Sequence, residues 1–192
     1  SFGIDVLESC SKCGALIGSA HPYQTFYSSS DLLFDGIPWG IQSDTCSGEI
    51  SELIKKIKGK PYIFNEKTSR NKLLYHISAV ASSNFVNSTL ALAGQIAELA
   101  DIPKTEFIPP IAYTTLYNAS KAYEEGTFPL TGPIARGDLN TILKHIESLN
   151  NFPPLKNAYI YFTLATLEIA FSNKIIQKQK FVEFKSFLLN LL

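Results

Sequence analysis

Short apolar runs separated by Gly and Pro fill the first third of the chain, and apolar residues at helical spacing fill the rest. Residues 5–12 have helical character. The run Ala15-Leu16-Ile17-Gly18-Ser19-Ala20, ending at His21-Pro22, predicts a buried strand. Ile37-Pro38-Trp39-Gly40-Ile41 predicts a second strand, which Pro38 should confine to a sheet edge or a bulge because proline has no amide to give to a ladder. Ser47 can cap the next helix, whose apolar positions Ile50, Leu53, Ile54 and Ile57 share one face, and Gly59 should stop it. Pro61-Tyr62-Ile63-Phe64 is a third strand candidate, so the pattern is α/β up to Glu66.

Beyond Glu66 the period changes. Residues 68–99 predict one long helix or two abutting ones. A turn is expected at Ile108-Pro109-Pro110, before a helix over 111–124 that Gly126 ends. The loop from Gly132 to Gly137 leads into a helix over 139–149, with Ile142, Leu143, Ile146 and Leu149 on its apolar face. After the break Asn151-Phe152-Pro153-Pro154, two more helices are expected over 156–172 and 175–191. The predicted fold class is α/β plus all-α: a partial α/β segment over 1–66 and a helical domain over 67–192.

Composition narrows the reading. A chain of 192 residues that is 45% hydrophobic can bury a real core, which argues against disorder. Seventeen basic and seventeen acidic residues leave no net charge, so nothing steers it to nucleic acid or to an anionic membrane surface. The longest apolar stretch, 158–171, is too short to span a bilayer and contains Glu168, which must be paired, protonated or facing a partner chain. No basic and apolar leader opens the chain, so a cytoplasmic location is expected. Three cysteines suit a reducing compartment; Cys10 and Cys13 form a C-x-x-C pair, expected to pack as small apolar side chains on one helix face, with redox or metal use as the lesser alternative. A chain that opens on Ser1 and contains no methionine is expected to be a piece or a processed form of a longer polypeptide.

Candidate chemistry concentrates in three places. At about 100° per residue, Lys72, His76, Ser83 and Asn87 fall on one helical stripe with Ala79 between them and Asn84 beside it. Such a stripe either borders a cleft or is a solvated face. Lys72 and His76 are four apart, so repulsion between their protonated forms would favour neutral imidazole or a lowered lysine pKa, as proton transfer near neutrality requires. His21 ends a strand, where open α/β sheets place ligands, with Gln24 and Thr25 following; the alternative is a turn shaped by Pro22. In Thr131-Gly132-Pro133-Ile134-Ala135-Arg136-Gly137-Asp138, Asp138 is suited to cap the helix from Leu139, and the Arg136 fork suits a carboxylate, a phosphate or an inter-subunit ion pair. His145, two turns beyond Asp138, either faces the same cleft or lies on the surface.

The ordered set His21-Pro22-Tyr23-Gln24-Thr25-Phe26, Phe34-Asp35-Gly36-Ile37, Lys72-x-x-Tyr75-His76 with Ala79-Val80-x-x-Ser83-Asn84, and Leu130 to Asp138 with Thr141 and His145 resembles one family over nearly the whole chain. It is the Rossmann-like proteins with the helical domain of unknown function 2520, similar in architecture to pyrroline-5-carboxylate reductase and 6-phosphogluconate dehydrogenase. The resemblance implies a C-terminal remnant of a Rossmann-like sheet, then a helical domain that builds a substrate cleft and a homodimer. It implies an NAD(P)-dependent oxidoreductase acting on a small molecule, with Lys72, His76 and Asn84 as catalytic residues, Lys72 or His76 giving a proton to a carbonyl or imine. His21, Gln24, Ser83 and Arg136 would bind substrate. The cofactor implied is NADP or NAD, yet no G-x-G-x-x-G turn precedes Asp5, and Gly14 and Gly18 have the wrong spacing for one. The chain by itself is therefore expected to be inactive. A non-catalytic helical dimerisation or small-ligand-binding module is the alternative.

Overall fold

Strand β1 (Ser19–Pro22) pairs antiparallel with β2 (Pro38–Gln42), which pairs in parallel with β3 (Lys60–Ile63). The computed structural model describes residues 3–27 and 34–192. Its contacts divide it into two compact units, Ser1–Val86 and Asn87–Leu192. The α/β pattern ends near Glu66, but compactness assigns the helical residues up to Val86 to the strand-bearing unit.

In the first unit, a 3-10 turn (Ile4–Leu7) runs into α1 (Glu8–Lys12). Cys10 and Cys13 there are both exposed, so the expected packing role is corrected: α1 has no buried face for them to join. The sheet also revises the expectation for Pro38. Its strand is the central one of the three, and Pro38 is tolerated because it is the first residue, where its carbonyl still accepts the Tyr23 amide and the preceding Ile37 carbonyl accepts that of Lys60.

Between β2 and β3 lies α2 (Ser47–Lys56), making a β-α-β unit with a parallel strand pair. The N-cap is Cys46 and not Ser47, without a side-chain cap bond, and Ser43 orders the turn ahead of it, its hydroxyl accepting the amides of Thr45 and Cys46. Of the four expected apolar positions Ile54 is buried, while Leu53 and Ile57 are exposed. The helix ends through Lys58 in the left-handed region (φ 61°). Gly59 serves a different need: a Cβ there would stand 2.7 Å from the Trp39 indole nitrogen.

Helix continuity over 68–99 is broken. Asn65 accepts the Thr68 amide and caps α3 (Glu66–Arg70), then Asn71 separates it from α4 (Lys72–Val80). A π segment (Ala81–Phe85) precedes α5 (Val86–Leu99).

In the second unit, α6 (Lys104–Glu125) runs straight through Pro109 and Pro110, where a turn was expected. The missing proline amides would have bonded to the carbonyls of Thr105 and Glu106. Both residues lie in the first turn and are exposed, so water can satisfy them. Gly126 (φ 65°) ends the helix as predicted. After α7 (Pro133–Arg136) come α8 (Leu139–Ser148), α9 (Pro153–Ser172) and α10 (Lys178–Leu189). The core gathers around α9, whose Ile160, Leu167 and Ala170 are fully buried with Ile142, Phe184 and Leu188 from its neighbours. Glu168 is paired with Lys185 at 2.5 Å on a half-exposed edge of α9, so the apolar helix hides no lone charge.

Candidate functional site

Three side chains of α4 meet three residues of β1 and its extension in register. Lys72 reaches Ser19, Tyr75 reaches His21 and Ser78 accepts from Tyr23. Residues 19, 21 and 23 alternate along a strand and therefore share one face, while 72, 75 and 78 are three apart on a helix and share another. Two strand residues advance about 6.6 Å and three helical residues about 4.5 Å, and the long Lys and Tyr side chains absorb the difference.

The Lys72 amino group donates to Ser19 Oγ and Gln42 Oε1, each at 3.2 Å. Ser19 and Gln42 face each other across the β1–β2 ladder, and Gln42 ends β2, so Lys72 sits at the carboxyl end of that strand. Burial lowers its pKa from the ordinary lysine value, partly opposed by the Asp5 carboxylate. The cause is thus desolvation and not the repulsion from His76 that the spacing suggested.

Tyr75 is the centre of the cluster. Its hydroxyl donates to the His21 carbonyl at 3.3 Å, lies 3.5 Å from His21 Nδ1, and its ring packs on Tyr23 and Phe64 with centroids 5.0 and 5.1 Å away. Burial pushes its phenol pKa up, as does Tyr23, while a bond from the Gly40 amide works the other way. The Tyr23 hydroxyl donates to Ser78 Oγ at 2.8 Å, and Ser78 in turn donates to the Tyr75 carbonyl at 2.7 Å. Sequence reasoning gave Tyr75, Tyr23, Ser19 and Gln42 no role. The available signal was the three-residue interval from Lys72 to Tyr75, which an aromatic residue on an amphipathic helix disguises as core packing.

His21 stands edge-on to Tyr75 and to His76, the latter with ring centroids 6.5 Å apart. Its pKa is lowered by burial first, then by the charges of His76 and Lys72. The rule that placed a ligand at its strand end does not apply to it, because β1 runs antiparallel to β2 and His21 pairs with Gly40. Gln24 is exposed and accepts the amide of Thr25. Ser83 is half-buried and Asn84 exposed, both in the π segment. A π turn holds an extra residue, so the 100° progression does not carry through it, and Ser83 and Asn87 are no longer placed by helical arithmetic on the line of Lys72 and His76.

The structure thus brings together Lys72, His76 and His21, and adds Tyr75. Arg136 belongs to the second unit, exposed at the end of α7 beside Asp138, whose pKa is lowered mainly by Thr141 and slightly by Arg136. Asp138 caps α8 as predicted, accepting the Thr141 amide at 3.1 Å and hydroxyl at 2.6 Å. His145 is exposed and hydrogen-bonds Tyr159 at 2.7 Å. The second unit also has an open cavity of about 340 Å³ lined by Leu92, Ile96, Thr131, Ile134, Tyr159 and Phe162 among others.

Gly14 and Gly18 do not make a dinucleotide-binding turn. Ser43 accepts the amides of Thr45 and Cys46, just ahead of α2, the helix that follows β2. Gly18 is a packing glycine, since a Cβ would meet Ile50 at 2.5 Å, and Gly14 is in a left-handed turn with nothing near it. Among the described residues, no group of three or more His, Cys, Asp or Glu could hold a metal, and no helix is long and apolar enough to cross a membrane.

A three-stranded mixed sheet with a β-α-β unit, continued by a helical unit, defines a Rossmann-related α/β plus all-α protein. The family model described as Domain of unknown function (DUF2520) matches residues 37–166, and the chain belongs to that family. Two crystal structures share its fold. One is a Bacteroides fragilis protein carrying the provisional name NADP oxidoreductase, with 25% identity and a TM-score of 0.65 over 86% of this chain and 61% of that one. The other is a Thermotoga maritima protein with 21% identity and a TM-score of 0.57 over 82% of this chain and 63% of that one. This chain therefore spans less than two thirds of either. No curated protein matches it.

Proposed function

We propose that the chain supplies the proton-handling and substrate-side part of an NAD(P)-dependent oxidoreductase acting on a small carbonyl or imine compound. The single observation that carries this reading is Lys72: half-buried, with a lowered pKa, held by Ser19 and Gln42 at the carboxyl end of β2 and joined by Tyr75 and two histidines. A lysine so placed gives up its proton more readily than an exposed one, and Lys72 or His76 delivers it to the heteroatom of the bond being reduced. Asn84 is proposed as the third catalytic residue, His21, Gln24 and Ser83 are proposed to contact substrate, and Arg136, in the second unit, is proposed as an anion contact. The provisional name of the Bacteroides fragilis relative favours NADP over NAD. The nucleotide is proposed to be held by residues other than those described, since Gly18 is a packing glycine and Gly14 lies at the wrong spacing for a phosphate-binding turn.

The test is a fluorescence titration of the natural full-length polypeptide with NADPH and NADH. It should bind one of them, and Lys72→Met should leave that binding intact while abolishing reduction of the carbonyl and imine compounds the wild type accepts. A folded full-length protein that binds neither nucleotide sinks the reading.

The homodimer rests on α6. Its Tyr113, Leu116, Tyr117 and Tyr123 are exposed and lie within about 120° of one another around the helix, an apolar surface that a second copy of this helical unit would cover. Sedimentation should show a dimer that Leu116→Glu with Tyr113→Glu dissociates. A monomeric wild type at micromolar concentration would overturn it. A cytoplasmic, reducing location belongs to the same proposal.

A further inference from the structure

Neither the proton-handling cluster nor the α6 surface uses the C-x-x-C pair, and the structure removes the packing role that would otherwise explain it. Both thiols are exposed and free, on an element with no buried residue. We propose that Cys10 and Cys13 form a reversible dithiol–disulfide pair that exchanges with low-molecular-weight disulfides of the glutathione class.

The geometry brings the two sulfurs within reach. Residues three apart on a helix hold their Cβ atoms about 5–6 Å apart, and a disulfide needs about 3.5–4.5 Å, so closure requires a shift of about 1–2 Å. The local structure can supply it. Helix α1 is five residues long, Cys13 is already its C-cap, and the next residue, Gly14, is in the left-handed region with nothing within 4 Å of a would-be Cβ. The chief contacts of α1 are with the 3-10 turn before it, so no core has to move.

The third cysteine sets the contrast. Cys46 is half-buried at the start of α2, with its sulfur 3.3 Å from Ser43 Oγ, and is shielded from the reaction.

The chemistry balances without another reactant. The thiolate of Cys10 or Cys13 attacks one sulfur of glutathione disulfide, that S–S bond breaks, and one glutathione thiolate leaves. The remaining protein thiolate then attacks the protein sulfur of the mixed disulfide and expels the second glutathione. Two protein thiols and one glutathione disulfide become one protein disulfide and two glutathione thiols. In a reducing compartment such a bond is transient, which is the behaviour of a sensor and not of a structural staple.

The proposal stands apart from the oxidoreductase reading, and its test uses no nucleotide. The reduced full chain is incubated with glutathione disulfide and followed by intact mass and free-thiol titration. The expected product has lost two hydrogen atoms and keeps one titratable thiol, Cys46, and dithiothreitol restores the other two. Cys10 and Cys13 should react at least about tenfold faster than Cys46 in the folded protein. Cys13→Ser, at an exposed position, should stop at a stable glutathione adduct on Cys10, whereas Cys46→Ser should cyclise like the wild type. Stable glutathione adducts on both Cys10 and Cys13, disulfide-linked dimers, or no reaction at either cysteine would each overturn the proposal.

Discussion

The Tyr75 hydroxyl donates to the His21 carbonyl oxygen at 3.3 Å, so α4 is tied to β1 by a side chain reaching the strand's own backbone. The same ring packs on Phe64, just beyond β3, and on Tyr23, just beyond β1. One residue thereby holds the helix that carries Lys72 and His76 against the sheet that carries Ser19, His21 and Gln42.

Removing only the hydroxyl should separate the two contributions. Tyr75→Phe loses the bond to the His21 carbonyl but keeps the ring contacts, and should lower unfolding free energy by about 1 kcal/mol, the net worth of a hydrogen bond whose partner can still reach water. Tyr75→Ala also loses the ring and should cost about 3 kcal/mol or more. Urea unfolding with an unchanged slope measures both, and equal losses for the two variants would show that the hydroxyl alone matters.

His21 gives the first unit a pH dependence with a definite sign. Its folded-state pKa is lowered below 6.5 by burial and by His76 and Lys72, so the unfolded chain binds the proton more readily. Its effect vanishes well above 6.5, where both states are neutral. As pH falls through 6.5 stability should drop, and the drop should level off below the folded-state pKa. His21→Gln should flatten this part of the profile, and NMR should show the His21 ring titrating below 6.5. A His21 ring that titrates above 6.5 would falsify the assignment.

Much of this was legible wherever the cause is local. Asp138 stands three residues before Thr141, which is all that an N-cap requires, and the apolar run through Ile160 and Leu167 announces the buried helix it becomes. The β-α-β segment was readable from its short runs and from the spacing of Ile50 and Ile54. What failed to show depends on distant partners. Whether β1 runs with or against β2 is decided by the ladder, so the strand-end argument for His21 had no means of seeing the reversal. Tyr75 was hidden because its ring is apolar in pattern and polar only at its tip. The helix through Pro109 and Pro110 shows that two prolines close to a helix start are accommodated where the carbonyls they leave unbonded, those of Thr105 and Glu106, belong to exposed first-turn residues.

Gly40 is expected to be irreplaceable for steric reasons. It is buried in β2, and a Cβ built on it would come within 2.3 Å of the Phe64 ring and 3.2 Å of the Tyr75 hydroxyl. Both rings are held by each other, so neither can retreat without disturbing the α4 contact. Gly40→Ala should therefore destabilise by about 1–3 kcal/mol and shift the Tyr75 and His21 NMR resonances together. Gly48→Ala, in α2 with nothing within 4 Å, is the control and should be neutral or stabilising.

Asp138 joins a helix cap to a titration, and two variants distinguish them. Its carboxylate accepts the Thr141 amide and hydroxyl, and these two bonds are the main reason its pKa lies below the usual 3.8. A depressed carboxylate contributes stability that is present above 3.8 and lost as pH falls through the lower folded-state value. Asp138→Ala should lower the melting temperature of the helical unit at neutral pH, because the first turn of α8 then keeps an unbonded amide. Asp138→Asn keeps an acceptor oxygen without the charge, so it should retain most of the neutral-pH stability and lose the acid-dependent part. Melting curves at pH 7 and near the carboxylate range would separate the outcomes. If Asn and Ala are equally destabilising at neutral pH, the charge and not the cap geometry holds the start of α8.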